Sequence, residues 1–421
     1  MKHLVKDDSL CIGCHQCEEA CSNAFYKKAD PKLSCIRILD KEDGTHEVKV
    51  CTQCGACAEV CNTGMIKKNA SGVFMLNKKE CVGCLMCVGF CPEDVMVQCD
   101  DRQEPSKCTA CGICVKVCPT GAIKIVEDSG EDNMVKMCDV QRYKDVDMEE
   151  IQQMKAAHIV LNKIEYEPKA IHRGYTDKML TIDVTDSSVK ISDIPAEVKE
   201  KFTGGKGYCL RYLWDATNPD TKWDSPENEI VMSAGPIAGI TQYAGTGKML
   251  VCTISPMTDI PIDSNVGGYF GPYLKFSGFD AIELKGEAKE DVIIVIDGNK
   301  GTISVEKAPL EHMDAHVMGE ELTAMYADNE NDRKHVAVVC AGSAADHANL
   351  SMLNFTFYDP NRGVVRLKQA GRGGIGRVFR HKHIKAVVCK FQGVKSNLND
   401  VYDVSLLNKT GVKYHKEMAT Q

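Results

Sequence analysis

Sixteen cysteines within the first 118 residues fall into four copies of one spacing, C-x2-C-x2-C-x3-C. They are Cys11, Cys14, Cys17 and Cys21; Cys51, Cys54, Cys57 and Cys61; Cys81, Cys84, Cys87 and Cys91; and Cys108, Cys111, Cys114 and Cys118. In such a run three closely spaced thiolates hold one [4Fe–4S] cube and the fourth cysteine serves a neighbouring one. A turn at every third residue aims three sulfurs inward, and the fourth points away. The implied chemistry is one-electron transfer through four clusters. Zinc knuckles pair two C-x2-C units across a longer insert, and disulfide frameworks belong to small exported domains. Neither fits four such runs behind an N-terminus, MKHLVKDDSLCIGC, with no apolar signal core. Runs three and four close on Pro92 and Pro119, runs one and two on Ser22 and Asn62. Apolar residues between the ligands, such as Ile12, Val82, Leu85 and Ile113, would keep water from the cubes and favour low potentials. Cys35, Cys99 and Cys138 lie outside the runs and read as small buried thiols.

The remaining chain is of a different kind. Of 23 cysteines in 421 residues, only Cys209, Cys252, Cys340 and Cys389 lie beyond residue 138. Hydrophobic residues at 43% and charged ones at 26% describe a globular chain. A net charge of −8 argues against nucleic acid or an anionic membrane surface as partner. No apolar run reaches the ~18 residues of a membrane span. Four clusters and the absence of an export signal predict a cytoplasmic protein of an anaerobe. Residues 127–147 read as a polar connector, and 148–164 as an amphipathic helix with Met148, Ile151, Met154, His158 and Leu161 on one side.

From about residue 170, runs rich in β-branched residues alternate with Gly, Pro and Asp turns. Strands are expected at 179–184, 188–192, 229–234, 248–255, 281–286, 292–297, 301–306, 335–342, 350–356 and 384–390. Helices are expected at 196–202, 206–216, 269–278 and 316–328. The fold class is α+β, with a mostly antiparallel C-terminal part. Three glycine-rich segments could turn backbone N–H groups toward an anion: Gly235–Gly239 with Ala244–Lys248, Asn265–Gly271, and Lys368–Arg377. The third matches G-x-G-x-x-G at Gly371, Gly373 and Gly376. The next stretch of chain, VFRHKHIKAVVCK, reads as a short basic turn and a strand, with no acid before Asp400, so a dinucleotide site is rejected.

Residues 172–391 resemble the N-terminal domain of the tungsten-containing aldehyde ferredoxin oxidoreductase family. The stretches HRGYTDKMLTIDVT, FTGGKGYCLRYLWD, SAGPIAG, ISPMTDIPIDSNVGGYFGPYLKFSGFDAIELKG and AGRGGIGRVFRHKHIKAVV carry the likeness in order. The resemblance implies a β-rich base for a tungsten bis-pyranopterin whose phosphates are bridged by Mg2+. It places Asn265 and Gly267 at the phosphate and magnesium end, and Gly371 and Arg372 on the pterin side. Lys248, and Lys368 with Gln369, stand where the family often has Arg and Arg-Ala. Lysine keeps the charge there without the two-pronged guanidinium grip. No general acid or base is nominated.

The N-terminal part resembles ferredoxin-like lobes, and its layout is similar to the four-cluster electron-transfer subunits of molybdopterin oxidoreductases. That second resemblance implies that run one pairs with run four and run two with run three; pairing of neighbouring runs stays open. The expected organisation is a polyferredoxin domain (1–140), a linker and helix (141–170), a tungstopterin-binding base (171–395) and a tail contacting a partner subunit (396–421). The partner would carry the family's helical domains and share the cofactor. Ferredoxin, or a flavin or hydrogenase-type subunit, would exchange electrons with the cubes. The alternative is a polyferredoxin whose pterin-type domain is a metal-free docking module.

Overall fold

The computed structural model describes residues 2–127, 147–309, 314–395 and 397–420. The connector expected at 127–147, and Cys138 within it, lie almost wholly outside these residues. The chain forms two units, one comprising residues 1–138, 241–243 and 403–421, the other 139–240 and 244–402.

In the first unit, β1 (Lys2–Lys6) precedes run one, and α1 (Gln16–Tyr26) grows from its third cysteine. Two hairpins come next, β2 (Arg37–Asp40) with β3 (His46–Lys49), then, after α2 (Ala56–Glu59), β4 (Ile66–Lys68) with β5 (Phe74–Leu76). The short helices α3 (Met86–Gly89) and α4 (Ile113–Val117) belong to runs three and four, and β6 (Ile123–Glu127) closes the unit. Strand β6 pairs antiparallel with β1, from Lys2 opposite Glu127 to Lys6 opposite Ile123. This pairing joins the two ends of the cysteine-rich sequence. It puts run four beside run one although about a hundred residues separate them.

The second unit opens with α5 (Met148–Ala156) and β7 (Ile159–Glu165), so the single helix expected over 148–164 is a helix and then a strand. Ile151 and Met154 are buried as the helical spacing required. Ile159 and Val160 instead pair with an edge of a sheet, where β-branched side chains fit the pleat. The chain continues through β8 (Lys178–Asp183), β9 (Ser188–Asp193), α6 (Ala196–Phe202), α7 (Lys206–Ala216), β10 (Ile230–Ala234), β11 (Met249–Ile254) and β12 (Pro261–Val266). Next come α8 (Phe270–Phe276), β13 (Ala281–Lys285), β14 (Val292–Asp297), β15 (Thr302–Lys307), α9 (Ala315–Tyr326) and β16 (Val336–Cys340). The unit ends with β17 (Leu353–Asp359), β18 (Val364–Ala370), α10 (Ile375–His381) and β19 (Ile384–Lys390).

These strands make two sheets, ordered β12-β11-β10-β13-β8-β9 and β18-β17-β16-β19-β14-β15-β7. Only β13 with β8 and β14 with β19 run parallel. Alternation along each strand sorts its side chains between two cores. Ile294 and Ile296 of β14 join Ile282, Leu284 and Val251 between the sheets. Ile293 and Val295 point the other way, onto Met318, Leu322 and Ile151 of α9 and α5. On the outer side of the six-stranded sheet, Val231 and Cys252 pack on Tyr208 and Leu213 of α7. The result is two sheets face to face with helices on both outer surfaces.

Besides β7, three elements of the second unit were not legible as such in the sequence. Strands β12 (PIDSNV) and β18 (VVRLKQA) are polar edge strands, each paired on one side only. The supposed basic turn after Gly374 is the seven-residue helix α10. Its buried Val378 and Phe379 fill the core between the sheets.

Helix α9 anchors β18 through Glu320, whose Oε1 accepts from the Val365 N–H at 2.6 Å. Burial pushes the Glu320 carboxyl up to about 7, against the Val365 amide and Arg333. Its folded-state value lies above the unfolded one, so its contribution is complete below about pH 4.5 and is lost as pH rises through 7. Glu320→Gln keeps the amide contact and should flatten that fall, on the order of 3 kcal/mol, in thermal melts between pH 5 and 8.

The last helix, α11 (Val404–Ala419), belongs to the first unit, where it crosses α3. Gly89 permits the crossing, since a Cβ there would lie 2.2 Å from the His415 Cβ. Lys416 pairs with Asp94 at 2.7 Å and Ser405 donates to Asp100 at 3.0 Å. Leu406 remains exposed. Among the described residues no helix is long and apolar enough to cross a membrane.

Candidate functional site

Each cysteine run has the same backbone signature. The second residue after its first cysteine and the residue after its second cysteine have positive φ: Gly13 and His15, Gln53 and Gly55, Gly83 and Leu85, Ala110 and Gly112. Two left-handed residues curl the chain so that three sulfurs share one side. His15, Gln53, Leu85 and Ala110 hold this conformation without being glycine, at a cost of roughly 1–3 kcal/mol each. Strain repeated at equivalent positions is what a shared ligand geometry demands.

The β1–β6 pairing has a direct consequence. One cavity is lined by Cys11, Cys14 and Cys17 together with Cys118 of run four. A second is lined by Cys108, Cys111 and Cys114 together with Cys21 of run one. Runs two and three show the same reciprocity. Cys57 interacts electrostatically with Cys51, Cys54 and Cys91, whereas Cys87 interacts with Cys84, Cys81 and Cys61, and more weakly with Cys57. Burial pushes the thiols of Cys17, Cys57 and Cys114 up to about 12. A metal that replaces the proton removes that cost. Backbone N–H groups already aim at sulfur: Met65 at Cys61 (3.2 Å), Ala110 at Cys108 (3.4 Å) and Cys35 at Cys21 (3.4 Å). Among the described residues no three His, Cys, Asp or Glu side chains converge as around a single ion. The thiols line cavity walls, which suits a multinuclear cluster.

Sequence reasoning gave two residues of this unit no place beside the run cysteines, although it read Cys35 correctly as a buried thiol. Cys35 is buried, lines the second cavity, and its thiol hydrogen-bonds Cys21, drawing Cys21 down to about 6. Lys107, immediately before run four, is buried with its ammonium 3.7 Å from the Cys51 sulfur. No spacing rule marks either residue.

In the second unit the seven residues expected to meet a pterin gather where edge strands β12 and β18 of the two sheets approach. The Arg372 N–H donates to the Ser264 hydroxyl at 3.3 Å, joining the strand ends. Lys248 Nζ donates to Asn265 Oδ1 at 3.1 Å. Lys368 and Gln369 stand opposite Phe355 and Asn354 in β18, and Lys368 Nζ lies 5.7 Å from the centre of the Phe357 ring. Lys248, Asn265, Lys368, Gln369, Gly371 and Arg372 are all exposed. Among the described residues none of Lys248, Lys368 and Arg372 pairs with a carboxylate, so the seam carries unneutralised positive charge of the kind a phosphate attracts.

The three glycine-rich segments meet here because side chains would keep them apart. A Cβ at Gly247 would lie 2.4 Å from the Gly268 carbonyl oxygen, and one at Gly373 would lie 2.4 Å from Ile262. At Gly371 an added Cβ meets nothing within 4 Å, so the backbone is open to a ligand. The turn Gly235–Gly239 is held from within by buried Lys275, which donates to the carbonyls of Gly235 (2.6 Å), Pro236 (2.9 Å) and Ala238 (3.3 Å). These features fit an anionic cofactor laid across the seam.

Comparison with known proteins matches residues 179–391, half of the chain, to the family model described as aldehyde ferredoxin oxidoreductase, N-terminal domain. Residues 8–24 and 103–124 match 4Fe-4S binding domains, and residues 50–96 a 4Fe-4S dicluster domain. The tungsten-containing aldehyde ferredoxin oxidoreductase of Pyrococcus abyssi is 31% identical over 52% of this chain and 33% of its own length. The WOR-like subunit of the aliphatic sulfonate oxidoreductase of Pyrococcus furiosus is 26% identical over 58% of this chain and 38% of its own. Among solved structures, the active-site complex of benzoyl-coenzyme A reductase with 1,5-dienoyl-CoA matches 53% of this chain and 32% of that one. Its TM-score is 0.45 at 26% identity. The chain thus spans about a third of the length of the curated oxidoreductases it matches.

Proposed function

Because this chain belongs to the aldehyde ferredoxin oxidoreductase family through residues 179–391, and carries 4Fe-4S binding domains before them, we propose that it is the electron-transfer and cofactor-binding subunit of a split tungstopterin oxidoreductase. The observation that carries the reading is the coexistence, in one chain, of four reciprocal cysteine sets and a cationic, glycine-lined seam.

Bound at the seam, a tungsten bis-pyranopterin would supply oxidation of an aldehyde to an acid, with water as the oxygen source. The chain's own groups hold that cofactor. Lys248, Lys368 and Arg372 neutralise phosphate charge. The open backbone at Gly267 and Gly371 lets the ligand approach, and Asn265 and the Gln369 carbonyl offer oxygens to Mg2+. No residue of this chain is assigned a proton-transfer role.

The sixteen cysteines hold four cubes, paired as run one with four and run two with three. Cys14, Cys54 and Cys111, whose residues are exposed, mark sides from which electrons can pass to a carrier. A partner subunit contributes the family's helical domains, and α11, with Leu406 outward, offers it a docking face.

Anaerobic purification from the native host, with metals and co-eluting chains identified, tests this reading. The expected result is about sixteen iron atoms per chain, tungsten, and a partner bearing helical domains. Iron without tungsten or molybdenum, and without such a partner, would leave an electron carrier with a repurposed domain.

A further inference from the structure

Where run two meets run four, a buried positive charge lies against the Cys51 sulfur and the Cys108 carbonyl. Lys107 is 3% exposed. Its ammonium is 3.7 Å from the Cys51 sulfur and donates to Gln53 Oε1 at 2.8 Å and to the Cys108 carbonyl at 3.3 Å. The Cys51 and Cys108 side chains themselves hydrogen-bond. Gln53, 2% exposed, locks the arrangement. Its Nε2 donates to the Cys108 carbonyl at 3.1 Å, and its Oε1 also accepts from the Phe74 N–H at 3.1 Å.

Among the described residues no carboxylate pairs with Lys107. A buried ammonium without a counter-charge is costly and persists only where negative charge compensates it. Here the negative partner is the Cys51 sulfur, 3.7 Å from the ammonium and held as a thiolate when it binds a cube, while the Cys108 carbonyl supplies a neutral acceptor.

We propose that Lys107 raises the reduction potentials of the two cubes that meet at Cys51 and Cys108, and so tunes the step by which electrons cross between the two cluster pairs. The inference rests on the four-cluster reading above. A cube gains one negative charge when it accepts an electron, so a fixed cation nearby favours its reduced form. Burial keeps that attraction from being screened, unlike that of exposed Lys116 beside Cys114. In the step itself one electron leaves one cube and enters the other. No bond changes. Gln53 is a positioning residue, holding both Lys107 and the Cys108 carbonyl.

The test is a potentiometric EPR titration of the anaerobically purified holoprotein with dithionite as reductant, comparing wild type, Lys107→Gln, Lys107→Arg and Lys116→Gln. With iron per chain unchanged, Lys107→Gln should lower two of the four midpoints by at least the 59 mV that equals a tenfold change in a one-electron equilibrium. Lys107→Arg should restore most of that shift, and Lys116→Gln should move none. Four unmoved midpoints in iron-replete Lys107→Gln would overturn the proposal, as would a shift no larger than that of Lys116→Gln. If Lys107→Gln loses iron, Gln53→Glu decides instead. A carboxylate against the ammonium should lower the same two midpoints, and unchanged or raised values would sink the idea. Failure of the four-cluster reading shows separately, as wild-type protein without cluster iron or cluster EPR signals.

Discussion

Cys61→Ala should abolish or convert the EPR signal that Cys84→Ala affects, while Cys91→Ala affects a different signal, the one shared with Cys54→Ala. The basis is the reciprocity between runs two and three, in which Cys87 interacts with Cys61 and Cys57 with Cys91. Pairing of neighbouring runs would instead make Cys61 a ligand beside Cys11, Cys14 and Cys17. It would therefore link the Cys61→Ala and Cys14→Ala signals. The cavity beside Cys14 is closed by Cys118, some sixty residues further along the chain than Cys61. Each variant puts at risk one cube of four, so iron should fall from about sixteen to no lower than about twelve per chain. Iron analysis with low-temperature EPR reads both quantities. A common signal for Cys61→Ala and Cys14→Ala would reverse the assignment.

Gly374→Ala should expel tungsten while leaving iron in place. Gly374 has φ +69°, and an added Cβ would lie 2.0 Å from the Asn349 carbonyl oxygen, a backbone atom that cannot rotate away. The left-handed conformation costs a non-glycine residue roughly 1–2 kcal/mol. Overpacking adds roughly 1–3 kcal/mol. The third glycine-rich segment must shift, and with it Arg372 and its bond to Ser264. Gly371→Ala separates stability from ligand binding, because its Cβ meets nothing within 4 Å and φ there is not left-handed. It should melt like wild type yet bind tungsten less well if the backbone there meets the cofactor. Tungsten retained at wild-type level in Gly374→Ala would mean that the seam does not hold the cofactor.

The expected strands of the second unit appear where β-branched runs marked them, from Met179 to Lys390. A strand buried on both faces must be apolar along its length, as VIIVID (292–297) is, and that is visible in one dimension. Strands β12 and β18 are the exceptions, and they carry Asn265, Lys368 and Gln369. Edge strands satisfy their pairing on one side and leave polar side chains in water, so neither composition nor alternation sets them apart from loops. A polar edge is also what allows them to face a ligand.

The four cysteine runs, the turns within them and the change of character beyond residue 138 are written in local spacing and composition, and the sequence alone determined them. That Cys118 lines a cavity with run one, and Cys21 one with run four, was decided by β1 meeting β6 across the whole first unit. Lys107 reached the Cys51 sulfur in the same way, through a contact between residues fifty-six apart. Burial of an unpaired charge becomes a property of a residue only when distant segments close over it. The seam in the second unit is likewise a meeting of two sheet edges, formed by the core packed between the sheets. Spacing determines the ligands that neighbours share, and packing determines those shared by residues far apart in the chain.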